Sequence, residues 1–282
     1  MFALFLTQKK KEIKYGNSFL ITHDGLPHCD DVACISLFNL YFKKKGIKVN
    51  LTRTRDERIL ESYKGFDNVI IFDIGGGDLD HHKDEIKDGR NYSSIGKVWA
   101  KYKKEFKKTF KIDECSWKNI DTKFIACIDK TDNTGEMNPF TYYFNAIRGL
   151  SDEGELSKES LETCIKFMEE AWTNILISER KRSKERKEYE KLPVIQLLGM
   201  YFKYNDNPDV FINIGSNKDY ISGYIWKTKD NTFSVRRARP DQNLLIPGLS
   251  KDEKPGVIFT HKNGFIGEIT SLEYLANIIL NG

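Results

Sequence analysis

Asp73-Ile-Gly-Gly-Gly-Asp-Leu-Asp80-His81-His82 continues the run Asn68-Val-Ile-Ile-Phe-Asp73, and this stretch decides the fold. The apolar, β-branched run predicts a short buried strand that ends on a carboxylate. Three successive glycines then let the chain turn through positive φ and bring its backbone close to a bound group. Open α/β sheets build ligand sites in this way, by delivering an acid to the carboxyl end of a buried strand. Two histidines beside two aspartates supply nitrogen and oxygen donors of the kind that Mn, Fe or Zn accepts. A strand ending in an Asx turn with surface histidines would account for any one of these residues, but not for the set.

Upstream, Ser18 to Thr22 predicts another buried strand, followed by His23-Asp-Gly-Leu-Pro-His28-Cys-Asp30-Asp31. Gly25 and Pro27 keep that stretch out of a helix. From Asp30 onward Val32, Ala33, Ile35, Leu37, Phe38 and Leu40 predict a helix that stops at Lys43-Lys-Lys-Gly46. Asp30 and Asp31 then lie in its first turn, where negative charge suits the helix dipole. A strand around Ile47 to Thr52 and a short helix around Glu57 to Tyr63 lead to the strand at Val69. Strand-loop-helix units of this length imply a parallel sheet with helices on both faces, an α/β fold. The ligand crevice of such a sheet lies beyond the carboxyl ends of its strands, from which His23, His28, Asp30 and Asp73 project.

Downstream, Tyr92-Ser-Ser-Ile-Gly-Lys-Val-Trp99 begins a helix, with Ser93 or Ser94 as its cap. Seven lysines crowd Lys97 to Lys111, and the choice there is between a solvated helix face and a nucleic-acid patch. A helix predicted over Lys118 to Lys130 carries Phe124-Ile-Ala-Cys-Ile128 into Asp129-Lys-Thr-Asp132-Asn133. One of the two aspartates is a ligand candidate and the other a helix-end or turn former. From Ser151 to about Lys191 mixed charges at i,i+4 spacing predict an exposed helix that connects two domains. After Pro193 the predicted strands are Val194–Leu197, Val210–Ile214, Tyr220–Lys227, Phe233–Arg236 and Gly256–Thr260, and a helix over Ser271–Leu280 closes a small α+β domain. The expected organisation is a metal-binding domain over 1–150, a helical connector over 151–192 and a second domain over 193–282.

A hydrophobic share of 39% over 282 residues suits two folded domains. No apolar run approaches the ~20 residues of a membrane helix, so no membrane partner is expected. Met1 to Leu6 is too short for a signal-peptide core. Five cysteines, an odd number without a C-x-x-C pair, imply free thiols and a cytoplasmic setting. The net charge of +4 permits a polyanionic partner without demanding one. Histidine is more telling, because four of the five (His23, His28, His81, His82 and His261) fall in two short segments that also carry aspartates.

Taken together, His23, His28, Asp30, Asp73, His81, His82 and Asp129 or Asp132 offer more donors than one tetrahedral zinc uses. The number suits two ions sharing a bridging carboxylate, and Asp73 is the natural bridge. Two ions ~3.5–4 Å apart can activate a water and stabilise both oxygens of a phosphate-ester displacement. Mixed His/Asp ligation favours Mn²⁺, with Mg²⁺ as second choice. No P-loop, no G-x-S-x-G and no dinucleotide fingerprint competes with this site.

The Asp80-His81-His82 triplet, preceded by a strand-end aspartate and a histidine/aspartate loop, resembles the DHH phosphoesterase superfamily. Within it, Thr22-His23-Asp-Gly-Leu-Pro-His28-Cys29-Asp30-Asp31 is similar to the opening of the Myg exonuclease family. Arg53-Thr54-Arg55-Asp56, Asp73-Ile-Gly-Gly, Tyr92-Ser-Ser-Ile-Gly-Lys-Val-Trp99, Ile128-Asp129-Lys-Thr-Asp132-Asn133 and His261-Lys-Asn-Gly-Phe-Ile-Gly267 follow in that family's order. The resemblance implies an α/β/α DHH-type catalytic domain with a smaller α+β domain across a cleft, and a metal-dependent 3′→5′ exonuclease acting on RNA. It implies His23, His28, Asp30, Asp73, His81 and Asp129 as metal ligands, with His82 donating to the scissile phosphate beside catalytic Asp73. It also implies that Arg236, Arg237, His261 and Gly264 line the nucleic-acid side. On the residues alone, Arg236 and Arg237 read equally well as surface charge and His261 as part of a hairpin turn.

Two function classes follow. One is a phosphodiesterase with two Mn²⁺ ions, cutting RNA or single-stranded DNA, or in a variant reading short oligonucleotides or a small nucleotide. The other is a non-catalytic nucleic-acid-binding protein, against which the full ligand set argues. The oligomeric state is left open.

Overall fold

The computed structural model describes residues 17–82, 90–148, 158–209, 221–237, 256–261 and 266–281. The lead-in before residue 17, the expected strand Val210–Ile214 and Gly264 lie outside them. The chain divides into two compact units, Met1–Arg180 and Lys181–Gly282.

The first unit is built on β1 (Ser18–Thr22), β2 (Val49–Arg53) and β3 (Val69–Ile71), paired in parallel in the order β2-β1-β3. Leu20 lies opposite Leu51 on one side and Ile70 on the other. Between the strands run α1 (Cys29–Lys44) and α2 (Glu57–Tyr63). Asp56 caps α2 by accepting from the Arg58 N–H at 2.9 Å. Side chains alternate across β1, as the period of a strand requires. Leu20 joins Ile70, Phe72, α1 and the later helices in the main core, whereas Phe19 and Ile21 pack with Leu60 and Tyr63 of α2. The sheet is therefore covered on both faces. Because β2 and β3 flank β1 on opposite sides, the chain reverses direction at β1, and the loops after β1 and β3 diverge at that point. A switch of this kind opens a crevice at the carboxyl ends of the strands.

Five further helical segments complete the unit's main core: α3 (Ser94–Lys101), α4 (Lys103–Phe110), α5 (Glu114–Ile120), α6 (Ala126–Thr134) and α7 (Pro139–Arg148). A single π-helical turn, Asp121–Ile125, joins α5 to α6. The helix expected over Lys118–Lys130 is thus longer at both ends and wider in its middle. α7 was not expected from the sequence. Asn138 Oδ1 accepts from the Phe140 and Thr141 N–H groups, and Pro139 suits a first helical turn. In the core the Trp99 and Trp117 rings stack 3.6 Å apart at 3°, with Trp172 5.6 Å from Trp99.

α8 (Lys158–Lys191) is a 34-residue helix whose first part belongs to the first unit and whose end belongs to the second. The second unit holds β4 (Val194–Leu197), β5 (Met200–Asn205), β6 (Ile221–Lys227), β7 (Phe233–Arg237), β8 (Val257–Thr260), β9 (Ile266–Ile269) and α9 (Leu272–Asn281). Its sheet runs β4-β5-β6-β7-β9-β8, and only β5 and β6 are parallel. The molecule is thus mixed α/β, with a parallel three-stranded sheet and a separate mixed one. β5 and β9 escape the sequence pattern. β5 buries Lys203, whose Nζ is satisfied by the carbonyls of Glu190 and Leu192 at 3.0 and 2.8 Å. β9 has only four residues, one of them a glycine.

Candidate metal centre

β1 ends at Thr22 and β3 at Ile71, so the next residues of both strands meet at the mouth of the switch point. Asp73 takes φ +58°, a left-handed conformation that aspartate tolerates better than most side chains. Its backbone N–H donates to Leu79 O at 3.1 Å, which closes the glycine loop. Gly75 and Gly76, at φ +86° and +69°, make that loop sterically cheap.

The buried Asp73 carboxylate stands between two imidazoles. Its Oδ2 is 3.1 Å from His23 Nε2 and its Oδ1 is 3.1 Å from His81 Nε2. His81 Nε2 also lies 3.2 Å from Asp132 Oδ2 and 3.8 Å from Asp30 Oδ2. His23 Nε2 lies 3.5 Å from the fully buried Asp31 Oδ2. Ser94, in the first turn of α3, donates its hydroxyl to Asp73 Oδ1 at 3.0 Å and its N–H to Asp30 Oδ2 at 3.2 Å. His82 is more open: its side chain is 58% exposed, and its Nδ1 lies 2.7 Å from Asp80 Oδ1. Asp80 also accepts from Gly76 N at 2.8 Å.

The electrostatics of the cluster are strained. Burial alone would raise Asp73, but hydrogen bonds from His23 and His81 outweigh it and hold this carboxyl well below the usual range. Burial pushes Asp31 up to about 7 against the pull of His23 and Arg53. Burial and then the charge of Asp73 drive Asp30 far above its ordinary value, and burial raises Asp132. Burial lowers His28. It would lower His23 and His81 too, but their aspartate neighbours prevail and raise both. Several acids packed this closely out of water want a positive charge among them.

Three groups of side chains, among the described residues, bring one donor atom each within 4.8 Å of one another: His23–His28–Asp73, Asp73–His81–His82 and His28–Asp30–Asp132. Asp73 and His28 each belong to two groups. Asp30 Oδ1 and both Asp31 oxygens are buried without a hydrogen-bond partner. Donor atoms about 3 Å apart match neighbouring positions around a six-coordinate ion ~2.1 Å from its ligands. The residues therefore fit a divalent cation, and Asp73 turns one oxygen toward each of two histidines.

Asp129 falls in none of these groups, although the family resemblance implied it as a ligand. Its Oδ1 accepts from Ser93 N and Oγ at 3.1 and 2.7 Å, and its Oδ2 is 2.7 Å from the Arg90 guanidinium. Arg90 in turn reaches Asp121 at 2.8 Å. Asp129 thereby ties the start of α3 to α6, and Asp132, one turn later, faces the histidines. Asp31, Ser94 and Arg90 carried no ligand signal in the sequence. Arg55 shares the Asp24 carbonyl with His23: its Nη1 donates to that oxygen at 2.8 Å, which lies 2.7 Å from His23 Nδ1.

Of the other candidates, Arg236 sits in β7 opposite Tyr224, with its guanidinium 6.0 Å from that ring's centroid, and burial lowers its pKa. Arg237 ends the same strand, and the His261 N–H donates to Ile266 O at 2.9 Å between β8 and β9.

The fold and this cluster define an α/β protein with a His/Asp site at the strand ends. A family model matches residues 19–204, more than half of the chain; it is labelled MYG1_exonuc and described as an uncharacterised protein family (UPF0160). The chain belongs to this family, the Myg exonuclease family of the resemblance. The label's own term, exonuclease, points to a nuclease-like hydrolase. A comparison with curated proteins returns no match. No helix among the described residues is long and apolar enough to cross a membrane.

Proposed function

We propose that the chain is a metal-dependent phosphodiesterase with a DHH-type catalytic domain, a 3′→5′ exonuclease acting on RNA or single-stranded nucleic acid. The observation that carries this reading is the Asp73 carboxylate, with one oxygen 3.1 Å from the nitrogen of each of two histidines. His23, His28, Asp30, Asp73, His81 and Asp132 would hold two divalent ions, Mn²⁺ before Mg²⁺ because of the mixed nitrogen and oxygen donors. When bound, such ions acidify a water and neutralise charge that builds on the phosphoryl oxygens.

The chain's own residues supply the rest. His23 donates its Nδ1–H to the Asp24 carbonyl and so keeps Nε2 facing inward, where it would ligate once it has lost its proton. Asp80 fixes the His82 ring through Nδ1, which leaves Nε2 to donate to the scissile phosphate when the ring is doubly protonated. Ser94 keeps Asp73 from rotating away. Roles for Arg236, Arg237, His261 and Gly264 in holding nucleic acid rest on the family resemblance alone. Five free cysteines suit a reducing compartment such as the cytosol.

The test is degradation of end-labelled single-stranded RNA and DNA with Mn²⁺, beside Asp73→Asn and His81→Ala proteins. We expect stepwise shortening from the 3′ end, lost in both variants. Absence of cleavage of every oligonucleotide, with cleavage of a dinucleotide, would replace this reading by a small-nucleotide hydrolase. Two bound Mn²⁺ with no hydrolysis at all would leave a binding protein.

A further inference from the structure

The seven lysines of Lys97–Lys111 are sorted by the structure into two sets. Lys103 and Lys107 both grip Glu114, at 2.6 Å each. Lys97, Lys101, Lys104, Lys108 and Lys111 follow one another at steps of four and three residues, which put them on one helical face. The face is continuous across the α3–α4 junction, because Tyr102 N donates to Val98 O at 3.0 Å and Phe106 N to Tyr102 O at 2.9 Å. The opposite side buries Trp99, Phe106 and Phe110.

This stripe has two ends of different character. At the metal centre Lys97 Nζ donates to the carbonyl of Asp80 at 2.5 Å, beside His81 and His82. Next comes Lys101, in an exposed pair with Asp78 at 3.1 Å. Such a pair is weak and readily exchanged for another anion. Lys104, Lys108 and Lys111 are exposed and have no carboxylate partner among the described residues. They open onto a groove of about 650 Å³, whose other wall carries Tyr41, Lys44 and Lys45 from the end of α1. Among the described residues Glu105 is the one carboxylate that lines it. Five ammonium groups against one carboxylate in a groove form a seat for a polyanion.

We propose that this face is a track for the backbone of single-stranded nucleic acid, leading from the metal centre to the lysine groove. That the anion is a nucleic acid rests on the proposed function; the track itself rests on the placement of the lysines. From Lys97 to Lys111 the helix rises ~21 Å at ~1.5 Å per residue. At ~3.4 Å per nucleotide of a helical strand this is about six nucleotides.

The test is binding of a single strand of about 20 nucleotides to the full chain in EDTA, so that hydrolysis plays no part, over a range of salt. Each phosphate neutralised on a single strand contributes about 0.7 to the slope of log affinity against log salt. The Lys104→Gln/Lys108→Gln/Lys111→Gln protein should lose about 2 from that slope. The Lys103→Gln/Lys107→Gln protein, altered in lysines that Glu114 already holds, should keep the wild-type slope. An unchanged slope in the triple variant, an equal loss in the control pair, or no binding of the long strand by the wild type would overturn the track. So would equal affinity for an acidic polypeptide, which would make the face a protein-docking surface. A chain that binds in this way but cleaves nothing would sink the nuclease reading and leave the track standing.

Discussion

Asp129 and Asp132 are three residues apart on one helix, and their fates differ because of two residues far away in sequence. Arg90 and Ser93 take up both oxygens of Asp129 and leave Asp132 facing His81. Residues i and i+3 share a helix face, so spacing alone could not choose between them. By contrast His23, His28, Asp30, Asp73 and His81 were legible, because each sits at a strand or helix end that its neighbours in sequence define. Asp132→Asn should lower Mn²⁺ affinity at least about tenfold by calorimetric titration, with little change in the melting of chelated protein. Asp129→Asn should keep the metal and instead lose about 2–3 kcal/mol of stability, because it leaves the half-buried Arg90 with Asp121 alone. Exchange of these two phenotypes would return Asp129 to the ligand set.

At the scale of elements, α3 is held against α6 by a contact that only glycine allows. A Cβ at Gly96 would lie 2.6 Å from both Asp129 oxygens and 2.7 Å from Tyr92 Cδ1. Gly96→Ala must therefore push α3 outward, and Ser94 with it, at a cost of about 1–3 kcal/mol. Thermal unfolding should show a drop of about 2–4 °C per kcal/mol lost, and hydrolysis should fall further than the melting point implies because Ser94 holds Asp73. An unaltered melting point would mean that the helices part freely. The helices and strands that the sequence revealed are those with apolar runs and clear stops, such as β1 and α1. α7 opens on an Asn-Pro pair, β5 buries a lysine, and β9 is four residues long. Local pattern is too weak in such elements to compete with the tertiary contacts that create them.

At the scale of the molecule, the βα order was readable because each unit is local, whereas the strand order β2-β1-β3 depends on pairing across 30 to 50 residues. The buried acids also set how the chelated protein responds to pH. Asp30, Asp31 and Asp132 titrate above their unfolded values, Asp31 at about 7, and His23 and His81 are raised as well. The folded chain then binds more protons than the unfolded one from the ordinary carboxylate value of ~3.9 up to about 7. Stability must fall as pH rises through that window. His28, lowered by burial, acts the other way. The depressed Asp73 adds stability that is lost only below the ordinary carboxylate range. In EDTA the urea midpoint should be lower at about pH 7.5 than at about pH 5, and Mn²⁺ should erase the difference while releasing protons. A higher midpoint at the upper pH would contradict the burial of these acids. The packing of the indoles provides the instrument for such measurements. Of the chain's four tryptophans, Trp99, Trp117 and Trp172 share one stack, and Trp99 lies on α3 a turn beyond the serines that touch Asp30, Asp73 and Asp129. Parallel rings 3.6 Å apart share their excited states. The near-ultraviolet dichroism of this pair is thus a label-free gauge of α3, and any ligand that shifts the helix at the metal centre will write its arrival in that spectrum.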